Sequence, residues 1–154
     1  MKNTRSHENF LPSFFKPHGQ VKVWPEGNVV FLELTGPFNR EFFSSLLALN
    51  DTLYSELKDN GPFVEIALFR ESMLMPQDAL VEFGSILLKR SECNISPLAT
   101  AWVIGEEITE SIIMLPLFKK KFSEAARPFE VFNSLDDANA WGRELLLSTN
   151  SRKY

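Results

Sequence analysis

Between residues 20 and 147 the hydrophobic pattern changes period again and again. Short apolar or alternating runs, the mark of strands, are separated by longer stretches whose apolar residues recur every three or four positions, the mark of amphipathic helices. A chain that alternates the two patterns buries both by laying helices over a sheet of mostly parallel strands.

The first two runs are adjacent. Gln20 to Trp24 places Val21 and Val23 on one side, and Asn28 to Thr35 is rich in β-branched and aromatic residues, with Pro25-Glu26-Gly27 between them. That spacing predicts a β-hairpin. After Gly36-Pro37 the period becomes helical. Asn39 is placed to cap a helix over about 39–58, with Phe42, Leu46, Leu49, Leu53 and Leu57 on its inner face. Asn60-Gly61-Pro62 stops it, and Phe63 to Phe69 reads as a strand buried on both faces. Pro76 opens a second helix, to about 91, with Leu80, Phe83, Leu87 and Leu88 inward. Pro97 to Ile104 is the next strand. Gly105-Glu106-Glu107 opens a third helical region to about 125, Phe129 to Phe132 is a short strand, and Ser134 with Asp137 caps a last helix over 135–147. That helix turns Leu135, Ala138, Trp141, Leu145 and Leu146 inward. The order is ββαβαβαβα: one α/β domain with a mostly parallel five-stranded sheet, an antiparallel edge strand from the hairpin, and helices on its faces. Residues 1–19 read as a flexible N-terminal arm, 20–147 as the domain and 148–154 as a C-terminal tail.

Composition narrows the class. The chain has 154 residues, 44% hydrophobic and 23% charged, which suits one soluble globular domain. Its net charge of −4 argues against nucleic acid as a partner. The apolar part of the arm, Phe10 to Phe15, is broken by Pro12 and Ser13, so it does not read as a secretory leader, and no run approaches the about 20 apolar residues of a transmembrane helix. Without a secretory route, the sequon Asn94-Ile95-Ser96 is a chance match. A single cysteine, Cys93, allows no internal disulfide and fits a reducing, cytoplasmic location.

Catalytic chemistry is hard to assemble. Both histidines, His7 and His18, lie in the arm, where no rigid element would position them. Cys93 follows Glu92, and an acid beside a thiol does not favour the thiolate. Glycine occurs seven times and never as a phosphate-binding loop. The acidic pairs Glu106-Glu107 and Asp136-Asp137 both open helices, where carboxylates suit the dipole. No catalytic residue, metal set or cofactor is expected, and the chain reads as a non-enzyme.

Ile112-Ile113-Met114-Leu115-Pro116-Leu117-Phe118, followed by Lys119-Lys120-Lys121, is apolar all round. Pro116 should kink or split a helix near Ile112. Two arrangements satisfy the run. Either it is a deeply buried helix with its lysines in water, or Ile112, Ile113, Leu117 and Phe118 form a surface for a partner, a second copy or a lipid. Burial of those four side chains separates the two.

Three stretches carry a family resemblance: Val30 to Thr35 with Gly36-Pro37; Ala101-Trp102-Val103-Ile104-Gly105; and Phe118 to Phe122 leading to Pro128-Phe129-Glu130-Val131-Phe132, Leu135-Asp136-Asp137-Ala138 and Ala140-Trp141. In order and motif the chain resembles the anti-sigma-factor-antagonist (STAS) domains and, more closely, the bacterial SpoIIAA-like proteins. Antagonist STAS proteins carry an Asp-Ser-Ser-Gly turn after the third strand, whose serine a partner kinase phosphorylates. Here that place reads Phe69-Arg70-Glu71-Ser72-Met73-Leu74, so only Ser72 corresponds, without the Asp and Gly. The resemblance implies a non-catalytic regulatory or protein-interaction module with Ser72 as phosphoacceptor. The family's similarity to lipid-binding folds, the 14 Phe and the apolar run motivate an alternative, a carrier or sensor for a small apolar ligand or lipid near residues 106–125. A homodimer built on the third helical region, the arm or both is expected, because that run holds more apolar side chains than one inward stripe can bury.

Overall fold

The computed structural model describes residues 5–6 and 18–151, without the side chains of 5–6, 47–50 and 150–151. Its elements are β1 (Arg5–Ser6), β2 (Gln20–Glu26), β3 (Val29–Thr35), α1 (Arg40–Asp59), β4 (Val64–Arg70), α2 (Gln77–Glu92), β5 (Ala99–Val103), α3 (Ser111–Glu124), β6 (Phe129–Phe132) and α4 (Leu135–Ser151). They form one sheet in the order β1-β2-β3-β4-β5-β6. β2 pairs antiparallel with β3, and β3 to β6 run parallel. The expected α/β architecture is therefore present, with strands in chain order.

That order decides where the helices lie. Each crossover moves one strand further the same way, and right-handed crossovers then put their helices on one face. α1, α2 and α3 accordingly cover the face bearing Leu32, Leu34, Ala67, Phe69 and Trp102. α4 follows the last strand and packs on the opposite face, its Ala138 and Leu146 against Val64, Ile66, Ala101 and Val103. The contact is close: a Cβ on Gly142 would stand 3.0 Å from Val64. Opposite faces of β4 thus carry Val64 and Ile66 toward α4, and Glu65, Ala67 and Phe69 toward the three crossover helices.

Local chemistry explains the boundaries. The β2–β3 hairpin turns on Gly27-Asn28, with Glu26 opposite Val29 and Gly27 at φ +61°, a conformation glycine adopts without a Cβ penalty. Pro25 sits inside β2 rather than in the turn, which is tolerated near a sheet edge. Asn39 caps α1 by accepting the Phe42 N–H at 3.0 Å, and its side chain also accepts the His18 N–H at 2.9 Å. Ser134 caps α4 by accepting the Asp137 N–H at 3.2 Å.

Several expectations need correction. Gln20–Glu26 is not quite the outermost strand, because Arg5 and Ser6 pair antiparallel with Val23 and Lys22. The rest of the 1–19 arm, apart from His18 and Gly19, lies outside the described residues. α4 runs to Ser151, so the expected tail is helical over much of its length. Leu135 is exposed and Trp141 only half-buried, against Phe132 at 5.6 Å. The third helix starts at Ser111, with Glu106-Glu107 in the turn before it. It passes Pro116 without splitting. Proline there forfeits only the bond to the Ile112 carbonyl, which lies at the exposed start of the helix where water can replace it.

Candidate functional site

Two places combine apolar surface with placed polar groups. The first is internal. Between the sheet and α1–α3, aromatic rings meet around Trp102, which lies 4.6 Å from Phe69, 4.7 Å from Phe118 and 5.0 Å from Phe129, centroid to centroid. Rings of this shape do not tile completely, and a cavity of about 40 Å³ remains under the helices. That is room for about three waters, far too little for a long acyl chain. Its walls are apolar except at one end, where Glu65 and Arg90 enter.

Glu65 is a carboxylate, 6% exposed, in a strand that is otherwise apolar up to Arg70. The Tyr54 hydroxyl donates to its Oε2 and the Thr100 hydroxyl donates to its Oε1 at 3.1 Å. Arg90 from the last turn of α2 brings Nη1 to 3.8 Å from Oε2 and lays its guanidinium 4.2 Å over the Tyr54 ring. Arg127, 6% exposed, donates from Nη2 to Ser96 Oγ at 3.0 Å. Burial first, then the charge of Glu65, raises the Tyr54 pKa well above 10.0, so the hydroxyl keeps its proton. The stability it contributes is complete below pH 10.0 and is lost as the pH rises through the folded value. Burial also pulls the Arg127 pKa down from its ordinary value. Among the described residues the cluster holds one carboxylate and two guanidiniums, and Nε and Nη2 of Arg90 with Nε and Nη1 of Arg127 have no hydrogen-bond partner there.

The second place is at the opposite, C-terminal end of the parallel strands. Ser72 follows β4 and faces Glu110, which precedes α3. Its hydroxyl accepts the Leu74 N–H at 3.0 Å and donates to the Glu110 carboxylate, which also accepts the Met73 N–H at 2.8 Å. The hydrogen bond from Ser72 holds the Glu110 carboxyl below its ordinary value of 4.5. A carboxyl depressed in the folded state stabilises above the unfolded value and stops doing so as the pH falls through the folded one. Replacing Ser72 with Ala should move the Glu110 midpoint upward toward 4.5, read by NMR titration of its side-chain carboxyl.

From this anchored start α3 divides its residues. Met114, Phe118 and Phe122 are buried, while Ile112 is 83% exposed, Ile113 71% and Leu117 41%. The four residues predicted as one surface therefore separate. Ile112, Ile113 and Leu117 face outward, and Phe118 is fully buried, lining the internal cavity instead. An i, i+4 spacing from Met114 to Phe122 carries that stripe, hidden in the sequence by apolar residues on every side.

Other candidates stay apart. Cys93 is exposed just after α2, and His18 is exposed ahead of β2. His7 lies outside the described residues. Among the described residues, no three His, Cys, Asp or Glu side chains gather as metal ligands, and no helix is long and apolar enough to cross a membrane. No protein-family model matches the chain, and no curated protein matches it.

Proposed function

We propose that the protein is a non-catalytic regulatory interaction module that pairs with a second copy of itself through the outer face of α3. The observation that carries this is the exposure of Ile112, Ile113 and Leu117 on one rigid helix. Three large apolar side chains held together in water mark a contact surface.

Charge selects a second copy as the occupant. Acids precede the apolar face at Glu106 and Glu107, and lysines follow it at Lys119 and Lys120, all exposed. Ile113 lies midway along the chain between Glu106 and Lys120. Two α3 helices packed antiparallel about a two-fold axis near Ile113 therefore set the lysines of one copy beside the acids of the other. One self-complementary patch suffices for such a dimer. The likeness of element order to STAS domains supports a regulatory role, and the Ser72–Glu110 contact supplies a route. A phosphate on Ser72 would stand against the Glu110 carboxylate, and like charges at contact distance would loosen the first turn of α3.

A charge swap tests the pairing. Lys120→Glu should weaken dimerisation about tenfold by setting acid against acid, and Lys120→Glu combined with Glu106→Lys should restore it. Both sites are exposed, so the denaturation midpoint should move little. Equal association of all three proteins, measured by light scattering against concentration, would remove the assignment of this face.

A further inference from the structure

We propose that the open edge of β6 takes an extended segment of a partner protein as a further antiparallel strand, with a β-branched residue opposite Val131 and a basic residue opposite Glu130. This docking needs no second copy and stands apart from the pairing through α3.

The two ends of the sheet are finished differently. β2 is paired on both sides, with β3 and with Arg5–Ser6. β6 is paired on one side, with β5, and among the described residues no strand lies beyond it. The Thr100 N–H donates to the Pro128 carbonyl, and the Ile104 N–H donates to the Phe132 carbonyl. Backbone groups alternate in direction along a strand, so the N–H and C=O of Phe129 and Val131 point away from β5. Proteins commonly blunt such an edge with proline or lysine. β6 contains neither, and its only charged residue is Glu130.

The surroundings specify the segment. Two open hollows, of about 440 and 530 Å³, are lined by α3 and β6, the first by Ser123 and Phe129, the second by Leu115 and Phe132, and both by Val131. Side chains of an added strand that project toward α3 enter them. Phe129 and Val131 face the crossover helices and Phe132 faces α4, so Glu130 shares the α4 side with Phe132. Directly opposite side chains of an antiparallel pair lie on the same face, about 4.5–5.5 Å apart. A β-branched residue therefore meets Val131, an aromatic one meets Phe132, and a basic one meets the exposed Glu130. Lys119 lines the first hollow, on the α3 side, and does not oppose that basic residue. The net charge of −4 also favours a basic partner. An antiparallel strand is the choice because parallel pairing is less stable per residue.

The probe is the peptide acetyl-Thr-Phe-Val-Lys-Thr-amide, titrated into the full chain and followed by amide NMR. The expected result is saturable shifts over Phe129–Phe132 and slowed hydrogen exchange at the Val131 amide. Methylating the peptide's valine nitrogen removes the donor to the Val131 carbonyl and should weaken binding about tenfold. Glutamate in place of the peptide's lysine should weaken it about fivefold, and Glu130→Lys in the protein should reverse that preference. Glu130 is exposed, so the variant should still fold. No saturation at millimolar peptide, or equal binding of the methylated peptide, would overturn the added strand. Equal binding of the lysine and glutamate peptides would overturn the basic residue. Protection of the Val131 amide that rises with protein concentration in the absence of peptide would assign the edge to a second copy and overturn the partner segment.

Discussion

Glu65→Ala is expected to destabilise the fold by about 3–5 kcal/mol, the usual penalty for removing one member of a buried ion pair. The carboxylate is the sole acid among the described residues that faces Arg90 and Arg127, and it accepts from Tyr54 and Thr100. Its loss leaves two guanidiniums facing each other's charge and two hydroxyls without their acceptor. Glu65→Gln retains the shape and one acceptor oxygen but not the charge, so most of the penalty should remain. Tyr54→Phe removes one hydrogen bond and no formal charge, and should cost only about 1–2 kcal/mol. Urea denaturation checks the ranking. If Glu65→Ala were milder than Tyr54→Phe, charge compensation would not be what holds this end of the sheet to α1 and α2.

Trp102→Ala should have a comparable effect from a different cause, about 3–5 kcal/mol from lost burial and the hole left behind. Trp102 is 3% exposed and joins rings from three structural elements: Phe69 on β4, Phe83 on α2, and Phe118 and Phe122 on α3. Phe129 on β6 closes the group at 5.0 Å. Each well-set aromatic pair adds about 0.5–1.5 kcal/mol beyond buried area, which places this substitution toward the upper end. Collapse around the gap is restrained, because Phe122 and Phe129 are stacked at 4.1 Å. Trp102→Phe retains a ring and should lose far less. Thermal unfolding distinguishes the two variants, and equal midpoints would show that the ring cluster adds little beyond volume.

The fold was legible because period is a property of the chain itself. The switch after Gly36-Pro37, the cap at Asn39 and the pair Ser134 with Asp137 are local signals, and local chemistry fixed those boundaries. The α3 region was less legible. Its buried stripe of Met114, Phe118 and Phe122 is masked by Ile112, Ile113, Leu115 and Leu117, so spacing alone could not say which side faces the sheet. The two arrangements open to the run each hold in part: Phe118 lines the interior, while Ile112, Ile113 and Leu117 face outward. Leu135, expected inward, is the first residue of α4 and is exposed.

The polar cluster at Glu65 was missed altogether. One signal was present: an acid between Val64 and Ile66, inside a strand buried on both faces, requires a partner. Its partners come from α1, α2, β5 and the segment after α3, and nothing in the linear sequence ranks Arg90 and Arg127 above the chain's other basic residues. Only the packing of three crossover helices on one face brings them together. The same packing leaves Ile112, Ile113 and Leu117 outside, where they carry the functional reading.

Sedimentation equilibrium of the full chain over the micromolar range tests that reading most directly. Pairing through α3 predicts an average mass that rises from 17.6 kDa toward twice that value with concentration, and stays at 17.6 kDa when Ile113→Glu places a charge at the centre of the face. A mass of 17.6 kDa at every concentration of the unmodified protein, or an Ile113→Glu variant that associates as well as its parent, would contradict it.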